Sequence, residues 1–419
     1  MIIRPKYRGF ICTTVHPIGC KKNVLDQIEY VKSKGKIEGP KRVLVIGAST
    51  GYGLASRIAA AYGFGAQTMG VFLERPGTTE KTGSPGWYNN EYFERQAKQD
   101  GLDVCSINGD AFSNEIKTQT IEKIKTFMQG GKVDLVIYSL ASPKRLDPET
   151  GQMYNSVIKP VGTDFKGKTV DFHTGEVTEI SVAPANDEEI KETVAVMGGQ
   201  DWKLWLEALH GANVLESDVK TVAFSYIGPV VTHAIYKDGT IGHGKKDLEI
   251  RSEQIDELLK NIGGKSYVSV NKAVVTQASS AIPVVPLYIA LLFKVMKEKG
   301  LHEDCIEQLY RLYNDVMYNG NAVITDENGK LRIDDWEMRD DVQEEVAKLW
   351  EQANSDNIHD ISDIAGFRSD FFKLFGFERN DIDYEADVNL EKLYDLKKIP
   401  EQVTSIEQLF GTIPREFEE

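Results

Sequence analysis

Cysteine is scarce: four residues in a chain of 419, Cys12, Cys20, Cys105 and Cys305, with no CxxC pair among them. That excludes a disulfide-stapled scaffold and a paired-cysteine zinc ribbon, and the expectation is free thiols in a reducing cytoplasm. Long hydrophobic runs are missing too. The longest, residues 281–293, is broken by Pro283 and Pro286, and it falls short of the ~20 apolar residues that a membrane span needs. Residues 1–6 hold no apolar stretch of the kind a secretory signal carries, so no such signal is expected. Positive charge is in deficit, with 49 Lys and Arg against 64 Asp and Glu and a net charge of −15. A nucleic-acid binder needs a basic face, so that class is excluded, and adhesion to anionic membranes is disfavoured. Internal repeats and low-complexity tracts are absent as well. What is present is ordinary globular material, 41% hydrophobic and 27% charged, enough for a sizeable core without metal or disulfide.

The hydrophobic pattern alternates between two periods. A strand-like piece at residues 10–15 and a turn at 16–19 precede a helix expected over 23–34, with Val24, Ile28 and Val31 on one face. Strands are expected at 42–46, 68–73, 104–107 and 133–138, with helices at 54–62 and 115–128 between them. Residues 143–198 interrupt the rhythm, and 170–180 (VDFHTGEVTEI) alternates about a glycine turn as an inserted β-hairpin. Helix and strand resume at 202–210, 221–226, 247–261 and 268–276. Beyond residue 294 the chain reads as mainly helical, with Ile306, Leu309, Tyr310, Tyr313 and Met317 at helical spacing and a second hairpin expected at 323–333 around Asn328 and Gly329. The expected fold class is therefore α/β, a Rossmann-type doubly wound parallel sheet with inserted β-hairpins and a helical C-terminal cap. We read residues 1–419 as one α/β domain, with 40–294 as its core and 295–419 as a mainly helical cap.

The first regular strand, RVLVI, runs straight into GASTGYG at residues 47–53. Gly47 lets the chain turn off the strand, Gly51 lets the backbone approach a pyrophosphate, and Gly53 lets the helix pack close, its N–H groups facing the phosphates. The order GxxxGxG resembles the short-chain dehydrogenase/reductase superfamily. Glu74 closes the second strand, where an acidic residue grips the adenosine ribose. Asp110 and Ala111 follow the third strand, where that superfamily contacts adenine, and Ser139, Leu140, Ala141 and Ser142 end the fourth with mostly small residues. NADH is the expected cofactor.

Ser225 and Tyr226 end the fifth strand, and Tyr236 and Lys245 follow with eight residues between them. Along one helix that offset would turn ~900° and set the pair on opposite faces, and Gly239, Gly242 and Gly244 argue against such a helix. Tyr236 is therefore placed before a loop and Lys245 at the start of the next helix. Tyr-x8-Lys with a tyrosine ten residues earlier resembles the trans-2-enoyl-CoA reductase and type V enoyl-acyl-carrier-protein reductase family. The likeness takes in GFICTT at 9–14, GSPGWY at 83–88, TQAS at 276–279 and FRSDFFKLF at 367–375. It implies NADH-dependent reduction of the 2,3 double bond of an enoyl thioester such as crotonyl-CoA, or of its acyl-carrier-protein equivalent. It also implies roles: Tyr236 stabilises the enolate, and Lys245 holds the nicotinamide ribose and favours the ionised tyrosine. Tyr226 is a second donor near the substrate. Ser49, Tyr52 and Thr276 are implied at the cofactor, and Ile282 lies in the segment that lines the acyl pocket.

Two other functions stay open on the residues alone. A carbonyl reductase of the same superfamily would carry Tyr and Lys four apart on one helix face, and a non-catalytic dinucleotide sensor would need no such pair. Cys12, His16 and Cys20 make an incomplete zinc set with Pro17 inside it, so no metal is expected. His233 and His243 read as loop residues, and Lys144 with Arg145 as a solvated pair that could meet a phosphate of CoA. A monomer acting on a small acyl-CoA, or on an acyl-carrier protein, is the expectation.

Overall fold

The computed structural model describes residues 1–390. It opens on a small hairpin, β1 (Tyr7–Arg8) and β2 (Ile11–Cys12), where a single strand over 10–15 was expected. Helix α1 (Pro17–Lys34) begins at Pro17 and not at residue 23. His16 explains the difference: its Nδ1 accepts the Gly19 N–H at 3.3 Å, and Pro17 occupies a first-turn position where no N–H is needed. The expected turn is a helix cap.

Alternating units follow: β3 (Arg42–Ile46), α2 (Gly51–Ala59), β4 (Gln67–Phe72), α3 (Pro85–Gln99), β5 (Val104–Asn108), α4 (Asn114–Phe127) and β6 (Val133–Tyr138). The strands lie within a residue of their expected places. Two hairpins interrupt them, β7 (Lys144–Leu146) with β8 (Met153–Asn155), and β9 (Phe165–Asp171) with β10 (Glu176–Val182). In the second, Val170 pairs with Val177 across a turn that holds Gly175 at φ 79°. Then come α5 (Asp187–Met197), α6 (Gln200–Gly211), β11 (Leu215–Ser225), α7 (Val230–His233), α8 (Thr240–Leu259) and β12 (Lys265–Val270). The remaining elements are α9 (Gln277–Ser280), α10 (Val285–Glu298), α11 (Cys305–Arg311), β13 (Leu331–Arg332), α12 (Asp340–Gln352), α13 (Ile358–Ile361) and α14 (Ile364–Lys373).

Two expectations fail here. β12 stops at Val270, short of residue 276: the Asn271 N–H still bonds the Ser225 carbonyl, and beyond it side chains take over the backbone donors, Gln308 accepting the Lys272 N–H and Glu337 the Ala273 N–H. The hairpin at 323–333 does not form. Asn328 and Gly329 do make a turn, with the Gly329 N–H on the Asp326 carbonyl, but Leu331 pairs in parallel with Ser269 of β12. Leu331 and Ile333 are fully buried while Ile324 is 56% exposed, so the turn has only one apolar arm, and that arm joins the main sheet.

Seven strands form that sheet in the order β13-β12-β11-β6-β3-β4-β5, parallel throughout. Successive residues of β3 serve opposite faces. Val43 and Val45 pack with α1, α2 and α11 through Val24, Ile28, Leu54, Ile58 and Leu309. Leu44 and Ile46 pack with α4, α6 and α8 through Ile124, Trp202, Trp205 and Ile255. Each such side chain contributes about 1.5–3 kcal/mol when fully buried. A third apolar cluster gathers on α10 with α12, α14 and the β9–β10 hairpin, and it includes Tyr236 and Ile282. The chain order reverses between β3 and β6, and ligands of open α/β sheets bind at the strand ends beside such a switch point. No helix among the described residues is long and apolar enough to cross a membrane.

Candidate active site

The loop between β3 and α2 sits in that crevice. A Cβ on Gly47 would lie 2.2 Å from the Ser139 carbonyl oxygen, and one on Gly53 would lie 1.8 Å from that of Gly47. Only a backbone without side chains can fold back so tightly here, and the result is a cradle with the α2 amino terminus behind it. Gly51 has φ 51° and approaches Thr276, whose Cγ2 would lie 3.7 Å from its Cβ. The loop after β12 thus closes over the glycine loop. Tyr52 ties the two together by donating its hydroxyl to the Lys272 carbonyl at 2.6 Å.

Glu74 stands at the end of β4, where its Oε1 accepts the Ser49 hydroxyl at 2.7 Å. Burial pushes its pKa up, opposed by hydrogen bonds from Ser84 and Ser49 and by the Arg75 charge. Gly86 at the start of α3 leaves no room for a Cβ against this carboxylate, which accounts for one glycine of the GSPGWY motif. Asp110 accepts the Phe112 N–H, and the neighbouring Ala111 carbonyl is held by the Trp205 indole N–H at 3.0 Å and the Lys117 ammonium at 3.2 Å. Lys117 is itself buried and paired with Asp201 at 2.8 Å, and Tyr138 donates to the other Asp201 oxygen. Ser139 and Leu140 are half-buried at the end of β6, and Ala141 is exposed.

Tyr226 and Tyr236 meet edge to face beyond β11, with ring centroids 5.0 Å apart. Tyr236 is 8% exposed; its hydroxyl makes no hydrogen bond among the described residues. Lys245 lies in the second turn of α8, half-buried, and donates to the Phe224 carbonyl at 2.9 Å. The Tyr-to-Lys offset is built by glycine. The Gly242 N–H donates to the Tyr236 carbonyl, and a Cβ on Gly242 would lie 1.7 Å from the Lys237 carbonyl oxygen. α8 therefore enters directly beneath the tyrosine turn, taking in Gly242 and Gly244. Burial lowers the Lys245 pKa to about 8 and raises that of Tyr236. For both groups the cause is desolvation, which disfavours the charged form.

His233 and His243 each place a ring nitrogen on a backbone carbonyl, of Gly228 at 2.9 Å and of Gly239 at 3.0 Å, and so brace the loop around Tyr236. The pair Lys144 and Arg145 is not solvated as expected. Arg145 is 1% exposed, donating to the Ala195 carbonyl and to Gln200. Cys12, His16 and Cys20 do not converge; the triad of possible ligands close enough for one ion among the described residues is His302, Asp304 and Asp370. Ile282 is buried in the same cluster as Tyr236. Between α9 and α10 Val284 holds φ 65° while fully buried, a strained conformation for a β-branched residue.

Sequence reasoning missed Glu337. It is fully buried, and its Oε1 accepts both the Tyr226 hydroxyl at 3.0 Å and the Tyr288 hydroxyl at 2.6 Å. Burial raises its pKa, and these hydrogen bonds and the Lys272 charge work against that rise. Nothing in the polar run at 334–341 distinguishes this acid from its neighbours; only its burial does. Trp205 was more accessible, since Trp202, Trp205, Leu206 and Leu209 share one helical face.

The chain is similar to known proteins over most of its length. The model for the trans-2-enoyl-CoA reductase catalytic region matches residues 81–318, and that for the NAD(P)H binding domain of trans-2-enoyl-CoA reductase matches residues 2–79. The chain is 60% identical over 391 residues to the trans-2-enoyl-CoA reductase [NADH] of Ruminiclostridium cellulolyticum, covering 93% of this chain and 98% of that one. Over 389 residues it is also 60% identical to the enoyl-[acyl-carrier-protein] reductase [NADH] of Flavobacterium johnsoniae, with the same coverage. The crystal structure of Treponema denticola trans-2-enoyl-CoA reductase in complex with NAD superposes with a TM-score of 0.89 at 51% identity, covering 93% and 98% of the two chains.

A third model, the enoyl reductase FAD binding domain, matches residues 325–388. The residues there do not fit a flavin. Phe367, Phe371, Phe372, Phe375 and Phe377 are at most 3% exposed and pack into the core, leaving none of these rings free to stack on an isoalloxazine.

Proposed function

We propose, for a chain that belongs to the trans-2-enoyl-CoA reductase family and is an NADH-dependent enoyl-thioester reductase, that its substrate is a short enoyl-CoA and that Tyr236 and Lys245 carry the reaction. The observation behind the residue assignment is the Tyr236 hydroxyl. It has no hydrogen-bond partner among the described residues, is held on a buried ring, and is set at the same end of the sheet as the glycine cradle. The cofactor site is assigned to residues 47–53, Glu74, Asp110, Ala111, Ser139, Leu140, Ala141, Lys245 and Thr276, and the acyl site to Tyr226 and Ile282.

Bound NADH supplies a hydride to the β-carbon of the enoyl thioester. Negative charge then gathers on the thioester oxygen, and Tyr236 donates a hydrogen bond to it, stabilising charge that is largest towards the transition state. A neutral phenol suits that task. Lys245 is anchored to the end of β11 and holds the nicotinamide ribose. The α-carbon takes its proton from Tyr236 or from water.

Charge supports CoA over a carrier protein. Carrier proteins are generally acidic, and docking one on a chain of net charge −15 requires a concentrated basic patch. Each short basic run of the sequence has one member committed elsewhere, which leaves at most one free cation per run: Arg145 is buried, Lys245 is committed to a carbonyl, and Lys22 pairs with Asp381 at 3.3 Å. CoA needs only one or two cations and a groove. The test is kcat/KM for crotonyl-CoA against crotonyl-carrier protein at low and physiological salt. The CoA thioester is expected to be used at least as well; a carrier advantage of about ten-fold that fades with salt overturns the assignment.

A further inference from the structure

The segment matched by the flavin-domain model contributes something other than a flavin site. Glu337 lies between β13 and α12, and three donors converge on its two oxygens. Tyr226 and Tyr288 donate to Oε1, and the Ala273 N–H donates to Oε2 at 2.7 Å. Tyr288 in turn accepts from Gln343 at 3.1 Å. The nearest counter-charge is Lys272, also buried, whose ammonium donates to the Ala273 carbonyl. Ala273 belongs to the stretch that leads to Thr276 above the glycine loop, so one carboxylate fixes both a tyrosine of the acyl site and the backbone that covers the cofactor loop.

A carboxylate accepts and does not donate. Both phenols must therefore point their protons at Glu337, and the polarity of Tyr226 is set from behind. We propose that Glu337 is a positioning residue for the reaction: its carboxylate accepts the hydrogen bond of the Tyr226 hydroxyl, so Tyr226 faces the acyl site with acceptor lone pairs only, and donation to the thioester oxygen falls to Tyr236. This rests on the assignment of the acyl site to Tyr226 and Tyr236 made above.

Glu337→Gln tests it with little change of volume. An amide must turn its NH2 either towards the phenols, which frees the Tyr226 proton, or towards the Ala273 N–H, where two donors collide. The measurement is steady-state kinetics of the full chain with NADH and crotonyl-CoA, in a double-mutant cycle with Tyr226→Phe. Glu337→Gln alone is expected to lower kcat about ten-fold, and on the Tyr226→Phe background the same change should cost less than about three-fold, because the hydroxyl it acts through is gone. Parent-like kcat in Glu337→Gln, or the same fold-loss in both backgrounds, overturns the proposal. If Glu337→Gln does not fold, Tyr226→Phe and Tyr288→Phe decide, since each deletes one phenol from the same carboxylate oxygen. Loss of kcat in the first with retention in the second supports the proposal, and equal effects overturn it. Full activity in Tyr236→Phe would instead show that the site assignment itself is wrong.

Discussion

Replacing Tyr236 with phenylalanine should separate catalysis from stability cleanly. Losing one donor to a developing oxyanion costs about 10²–10³ in kcat, or ~2.7–4 kcal/mol of transition-state stabilisation. The folded protein should hardly notice. The hydroxyl has no partner among the described residues, so its removal orphans nothing, and the edge-to-face contact with Tyr226 survives in phenylalanine. We therefore expect the thermal midpoint to stay close to that of the parent. The KM for NADH should stay close too, because the glycine cradle and Lys245 are untouched. Tyr226→Phe should differ: its hydroxyl donates to a fully buried carboxylate, and stripping a donor from such a group costs about 1–3 kcal/mol of stability. The assay is NADH oxidation with crotonyl-CoA alongside a thermal melt of each variant. A Tyr236→Phe protein with kcat within about three-fold of the parent refutes the reasoning, given the 10²-fold minimum expected for an oxyanion donor. So does a loss matched by an equal rise in the KM for NADH, because the phenol would then be a cofactor ligand.

Glu74→Ser should narrow the preference for NADH over NADPH, since the carboxylate beside Ser49 would repel a 2′-phosphate that the exposed Arg75 could accept; equal kcat/KM for both cofactors in the parent protein would refute this. Lys245 is cationic below about 8 and neutral above, so kcat/KM for NADH should fall as pH rises through that value, and Lys245→Arg should move the limb to higher pH; a profile flat across this range would show that the charge does no work. Asp201→Ala leaves the Lys117 ammonium buried and unpaired, which should cost about 3–5 kcal/mol of stability. Because Lys117 also holds the Ala111 and Phe112 carbonyls, the same variant should bind NADH more weakly, as read by titration of NADH fluorescence.

The strands of the dinucleotide half were legible because each is a short apolar run ended by glycine, acid or small residues, and those ends are where the cofactor site is proposed. β3 and β6 fall at their expected bounds for this reason. Sequence periodicity is blind to what happens when a side chain from a distant element supplies the partner. Past Asn271, whose N–H still bonds the Ser225 carbonyl, Gln308 and Glu337 take the backbone donors of Lys272 and Ala273, and no local pattern around residue 271 records that. Arg145 is a similar case. Beside Lys144 it reads as a solvated charge, yet its partners, the Ala195 carbonyl and Gln200, lie 50 and 55 residues away.

The separation of Tyr236 from Lys245 has a structural cause that bears on the chemistry. Four residues apart on one helix, the two would move together. Here Tyr236 belongs to the apolar cluster around α10, while Lys245 is tied to the end of β11 through the Phe224 carbonyl. The turn that joins them is closed by the Gly242 N–H on the Tyr236 carbonyl. The proposed donor for the thioester oxygen is thus positioned by the apolar cluster around α10, and the proposed cofactor cation by the sheet. Glu337 reaches both sides, through Tyr226 and through the Ala273 N–H. On the proposed assignment, residues 325–388 join the reductase site by way of one buried acid, which suits a stretch whose aromatic side chains pack into the core.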